Sequence, residues 1–168
     1  MSRLDAMIAR LLTQRAALDA AVRLVADLDG PVLEIGLGKG RTYSHLRRAL
    51  AGREIYAFDQ ELHAPPDAVP PAPYLRLGDF RDTLPAMAGQ IPPAALAHAD
   101  IGSEDRQADA ALAHAIAAPI ARLRAEGGLV LSDRALAHPR LREIATPRAD
   151  LPAGVSPWRY FTYRVAGP

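Results

Sequence analysis

The sequence predicts an α/β protein: a parallel sheet with helices packed on both of its faces. Three observations carry that expectation. Apolar runs alternate along the chain with segments of helical periodicity, which is the pattern of repeated βα units. The apolar runs are short and nearly continuous, as strands covered on both sides require. Finally, the 168 residues show no internal repeat and no composition break, so a single domain with one sizeable core is expected over 1–168.

The first element is an amphipathic helix. Leu4, Ile8, Leu11, Leu18, Val22 and Val25 recur at spacings of three, four or seven, and Asp29-Gly30 ends the pattern. "PVLEIG" is a buried strand between Pro31 and Gly36. "GRTYSHLRRALAG" returns to helical periodicity, with Gly52 as its stop. "EIYAFD" and "YLRLGD" are the second and third strands. Between them, five prolines in the nine residues 65–73 forbid a long helix, so that segment reads as a surface loop. "FRDTLPAMAGQI" has room for a short helix, and "AALAHADIG" is an alanine-rich fourth strand. A long helix follows from Ser103, which can cap it. Glu104 and Asp105 suit its positive end, Pro119 should kink it, and Gly127-Gly128 should stop it. "LVLSD" is the fifth strand; after a loose stretch, "WRYFTYRV" reads as an aromatic terminal strand. In outline, 1–29 is an N-terminal helix, 31–133 a core of βα units, and 134–168 a region of C-terminal strands.

Composition removes several classes of function. A formal net charge of +1 argues against a strongly electrostatic partner such as bulk nucleic acid or an anionic membrane surface. With no cysteine there are no disulfides, thiolate metal sites or cysteine nucleophiles. No apolar run approaches the roughly 18 residues of a membrane span. Arg3, Asp5, Arg10 and Arg15 make the N-terminus unlike a signal peptide. A cytoplasmic protein is the expectation.

The chemistry concentrates in "VLEIGLGKGRTYSHL", Val32 to Leu46, which holds Glu34, alternate glycines at Gly36, Gly38 and Gly40, and the chain's only lysine, Lys39. In a doubly wound sheet this strand exit faces the ligand crevice, where glycine lets backbone approach a ligand and a helix start offers free amides. A phosphate-binding loop would need GxxxxGK[ST], and counting on from Gly36 reaches Arg41, so the match fails. A dinucleotide fingerprint needs GxGxxG, and here the third glycine comes one residue early, beside an acid that would repel a pyrophosphate. A nucleoside without phosphate, carrying a sulfonium and an amino-acid end, suits the acids better. Glu34 could orient its ammonium. Asp59, nineteen residues past Gly40, could accept from the ribose hydroxyls. Asp79 could accept from the adenine amino group, with Phe80 packed on the ring.

"LEIGLGKG", "YAFD", "LGDF", "ADIG" and "GGLVLSD" together resemble the successive motifs of class I S-adenosylmethionine-dependent methyltransferases, in particular a short bacterial group. The resemblance runs from Pro31 to Asp133. It implies a Rossmann-like, mostly parallel seven-stranded sheet with an antiparallel last strand, and S-adenosyl-L-methionine as cofactor with S-adenosyl-L-homocysteine as product. Carried across, Glu34, Gly36, Gly38, Gly40 and Thr42 would form the methionine side. Asp59 would hold the ribose; Gly78, Asp79 and Phe80 the adenine; and Asp100 would lie near the methyl group. The sequence departs from the family in its proline-rich segment, in having only 35 residues after Asp133, and in lacking an insertion to form a lid.

Methyl transfer is an in-line displacement, so the protein must chiefly align the acceptor with the methyl group. Candidates for a general base are Asp100 and His98, then Asp133 and Tyr43. Asp100 and Asp133 could both face a divalent ion, but Arg134 follows and further oxygen ligands are lacking, so no metal is expected. Arg134 has the alternative of binding an acidic acceptor. The expected partner is a small-molecule acceptor, with a homodimer as a way to complete a lidless site. The alternative to an enzyme is a non-catalytic protein that binds the same cofactor; a nicotinamide dehydrogenase ranks below both.

Overall fold

The computed structural model of the chain describes residues 2–146, 151, 155 and 158–167. Helix α1 (Arg3–Leu24) leads into β1 (Val32–Ile35), α2 (Arg41–Ala49) and β2 (Ile55–Asp59). Next come β3 (Leu75–Leu77), α3 (Phe80–Ala86), β4 (Ala94–Ala99), α4 (Arg106–Arg122) and β5 (Arg124–Ser132). Strands β6 (Leu141–Ile144) and β7 (Phe161–Val165) close the chain. The strands form one seven-stranded sheet in the order β3-β2-β1-β4-β5-β7-β6. The first five strands are parallel, and β7 is antiparallel to both β5 and β6.

The two faces are covered by different helices. Leu33 and Ile35 of β1 point into the layer of α3 and α4, while Val32 points into the layer of α1 and α2. Alternation therefore places Glu34 under α1 and α2. Strand β4 repeats the pattern: Ala97 and Ala99 face α4, and His98 is opposite Glu34 in register. The two polar side chains meet for that reason.

Several expectations need correction. The stripe on α1 is buried only in its lower half, at Leu18 and Val25; Leu4, Ile8 and Leu11 are exposed. Twenty-two helical residues extend about 33 Å at 1.5 Å each. Four strand residues extend about 13 Å at 3.3 Å each. Because α1 runs antiparallel to β1, its first turns overshoot the carboxyl ends of the strands. Helix α4 is capped by Asp105 rather than Ser103, since the Asp105 carboxylate accepts from the Gln107 and Ala108 N–H groups. It runs through Pro119 and ends at Arg122, before Gly127-Gly128. Those glycines lie inside β5, where the pairing with β4 shifts register, and Gly127 adopts a φ of +76° that a bulge requires. The loose stretch after Asp133 contains β6, which among the described residues pairs only with β7. The "WRY" of the aromatic segment precedes the strand. The proline-rich segment forms two short 3-10 turns, Pro66–Ala68 and Ala72–Tyr74.

Candidate functional site

A cavity of about 730 Å³ opens at the carboxyl ends of β1, β2 and β4. Strand order reverses between β1 and β4, which is where doubly wound sheets bind ligands. The volume lies within the roughly 300–1,000 Å³ usual for small-molecule sites.

The glycine turn forms one wall. Gly36 has a φ of +91°, and a Cβ there would overlap the Asp100 carbonyl oxygen. That glycine lets β1's exit pack directly on β4's exit. Gly38, at φ +50°, faces open space, so its backbone is accessible. Gly40 caps α2 in the left-handed conformation without a side-chain cap. Gly36, Leu37, Gly38, Lys39 and Thr42 line the cavity. Asp59 ends β2 at the cavity edge. Its Oδ2 accepts from the Gly38 N–H at 2.6 Å and its Oδ1 from the Gln60 N–H at 2.7 Å. The carboxylate so fixes the turn and keeps spare lone pairs. Phe80, at the start of α3, also lines the cavity.

The opposite wall is built on Asp100. Its Oδ1 accepts from Arg10 Nη2 at 2.6 Å and its Oδ2 from Gln14 Nε2 at 2.9 Å, so α1 is tied to the end of β4. Behind it, Asp133 accepts from the Ile101 and Gly102 N–H groups, both at 3.0 Å. Burial and the nearby Asp100 carboxylate raise its pKa. Arg134 bridges Asp133 and Asp109, at 2.8 and 2.6 Å. Burial would raise the Asp109 pKa, but hydrogen bonds from Ser103 and Arg134 outweigh it and hold it low. Arg134 is thus committed to two internal carboxylates.

Eight of the sequence candidates, Glu34, Gly40, Tyr43, Gly78, Asp79, His98, Asp133 and Arg134, lie outside the cavity lining. Glu34 and His98 are both fully buried, with His98 Nδ1 2.8 Å from Glu34 Oε2. Thr42 Oγ1 donates to the other Glu34 oxygen, and Gln14 Nε2 lies 3.3 Å from His98 Nε2. Burial disfavours a charged His98, yet the Glu34 carboxylate prevails and raises its pKa. Thr42 and Gln14 connect the pair to the cavity wall. Asp79 caps α3 through the Arg81 N–H, and its carboxylate is held by the Arg81 guanidinium. Gly78, at φ +134°, serves the turn before it. Tyr43 is buried, and burial raises its pKa. No group of three or more His, Asp or Glu side chains is placed to hold a metal ion among the described residues.

Sequence reasoning missed Arg10, Gln14 and Asp109. Gln14 left a signal: it occupies the apolar face of α1, between Leu11 and Leu18, where an aliphatic residue would otherwise stand. Arg10 and Asp109 left none, because each looks like an ordinary surface charge on a helix.

A doubly wound sheet of this order, with a glycine turn and an acid at successive strand ends, defines a Rossmann-like methyltransferase fold. The chain belongs to the S-adenosyl-L-methionine methyltransferase family, whose sequence model matches residues 1–165. The crystal structure of S-adenosyl-L-methionine methyl transferase from Silicibacter pomeroyi DSS-3 is similar at 41% identity, with a TM-score of 0.88 and 99% of each chain covered. Two more distant structures share the fold. A putative O-methyltransferase from Klebsiella pneumoniae is 19% identical, with a TM-score of 0.59 over 92% of this chain and 80% of that one. TrmN from Thermus thermophilus is also 19% identical, with a TM-score of 0.59 over 91% of this chain and 52% of that one. No curated protein matches the chain. The cofactor of the family is S-adenosyl-L-methionine, and its product is S-adenosyl-L-homocysteine. No helix among the described residues is long and apolar enough to cross a membrane.

Proposed function

We propose that the chain holds S-adenosyl-L-methionine in the switch-point cavity and transfers its methyl group to a small-molecule acceptor. One observation carries this reading: an open glycine backbone, the Asp59 carboxylate and the Phe80 ring border the same cavity as Asp100. That donor and acceptor set fits a nucleoside with a cationic amino-acid end and no phosphate. Asp59 accepts from the ribose hydroxyls, and its bond from Gly38 holds it toward them. Phe80 packs on the adenine, with Asp79 contributing by capping the helix that carries it. The Gly36–Gly38 turn and Thr42 face the methionine portion. Glu34 acts from behind the wall, through Thr42.

When bound, the cofactor would supply an electrophilic methyl group on sulfur for an acceptor's lone pair. Asp100 sits where an acceptor O–H or N–H can donate to it, held in place by Arg10 and Gln14. A carboxylate with both oxygens already accepting still has lone pairs for a further hydrogen. Met7, Leu11 and Leu112 add apolar side chains to the cavity lining.

Titration calorimetry with S-adenosyl-L-homocysteine tests the assignment. Asp59→Ala removes a charged acceptor worth about 1.5–3 kcal/mol, so affinity should fall by roughly 10- to 150-fold. Equal affinities for the variant and the parent protein would remove the basis of the proposal.

A further inference from the structure

The first three turns of α1 present apolar side chains to solvent. Leu4 is 67% exposed, Met7 47%, Ile8 46% and Leu11 39%. They stand at positions i, i+3, i+4 and i+7, so they share one face of the helix. Met7 and Leu11 on that face are cavity wall. The stripe is therefore a single surface that begins inside the cavity and continues outward along the helix. From Leu11 to Leu4 it extends about 10 Å at 1.5 Å per residue. The polar groups of α1 that line the cavity, Arg10 and Gln14, are both directed at Asp100. Polarity is thus gathered at the inner end, and Leu112 of α4 adds an apolar side chain to the lining.

The size of the stripe limits what covers it. The four side chains expose the equivalent of about two whole ones, no more than about 500 Å² even at the size of aromatic rings. A standard protein interface buries roughly 800 Å² on each partner. The stripe is too small to hold a second copy by itself, and it suits the apolar body of a ligand whose head lies in the cavity. We infer that the methyl acceptor is amphipathic, with an O–H or N–H head seated at Asp100 and an apolar ring or chain lying along Leu11, Met7, Ile8 and Leu4. The inference rests on the cofactor reading above and adds the class of acceptor to it.

The test uses the full chain saturated with S-adenosyl-L-homocysteine, titrated with phenol, 4-butylphenol and 4-hexylphenol. In the parent protein, affinity should rise about fourfold for each methylene that reaches the stripe. In the Leu4→Gln/Ile8→Gln double variant phenol should bind as before, because both positions are exposed and lie beyond the cavity lining. The advantage of 4-hexylphenol over phenol should shrink there by about tenfold or more. A 4-hexylphenol no tighter than phenol in the parent, or an advantage unchanged in the variant, overturns the inference. So does gel filtration showing a dimeric parent and a monomeric variant, which would give the stripe to a second copy. If S-adenosyl-L-homocysteine fails to bind the parent, the cofactor reading falls first and takes the inference with it.

Discussion

Replacing His98 by leucine should unfold the protein at a markedly lower temperature, although His98 touches no ligand in the reading above. Its ring is fully buried against Glu34, which is also fully buried. Without the imidazole, the carboxylate keeps only the Thr42 hydroxyl as a side-chain partner among the described residues, and the Gln14 amide loses one of its two contacts, keeping Asp100. Removing one member of a buried pair costs roughly 3–5 kcal/mol. For a chain of this size each kcal/mol corresponds to roughly 2–4 °C in Tm, so the drop should lie between about 6 and 20 °C. Calorimetry of His98→Leu and of Glu34→Leu/His98→Leu measures it directly. The double variant removes both polar groups and fills their space with apolar ones, a change often neutral for buried pairs. It should melt above the single variant, short of the parent because the Thr42 hydroxyl loses its Glu34 partner. A single variant within about 3 °C of the parent, or a double variant no better than the single one, would refute the view that the pair is held by mutual need.

Gly36→Ala and Gly38→Ala should differ sharply. Alanine at Gly38 meets open space and incurs only the left-handed penalty of about 1–2 kcal/mol, whereas at Gly36 it also drives a Cβ into the Asp100 carbonyl. Thermal melts and S-adenosyl-L-homocysteine titrations should therefore rank Gly36→Ala as clearly the worse; equal losses would contradict the packing of β1's exit on β4's. The Asp79 carboxyl should titrate at about 2, below its ordinary 3.8, because the Arg81 guanidinium and N–H stabilise the charged form. Its folded pKa is depressed, so its contribution to stability is full above pH 3.8 and fades as pH falls toward 2. A carboxyl NMR titration follows it, and Arg81→Leu should return the midpoint toward 3.8; a parent midpoint already there would show that the pair does not form.

Much of the site was legible because it lies on short segments with strong local signals. The glycine turn, Asp59 and Phe80 each follow a strand of recognisable pattern, and all reach the cavity. Glu34, His98 and Asp79 were legible as polar residues at strand ends, but their contacts were not. Glu34 and His98 are sixty-four positions apart in sequence, and only the parallel pairing of β1 with β4 sets them side by side. Asp79 pairs with Arg81, two residues on, and lies outside the cavity lining.

What the sequence determined alone was the order of helices and strands as far as β5, the glycine turn at the exit of β1, and the exclusion of cysteine chemistry. These follow from local periodicity, backbone freedom and composition, which act over a few residues. Tertiary structure decided which carboxylates face the cavity and which serve the core, since side-chain direction depends on register between distant strands. It also decided that α1 overhangs the site, with Leu4 to Leu11 in solvent while Leu18 is buried. A helical stripe has one periodicity along its whole length; where it stops being core depends on how far the helix extends past the sheet it covers.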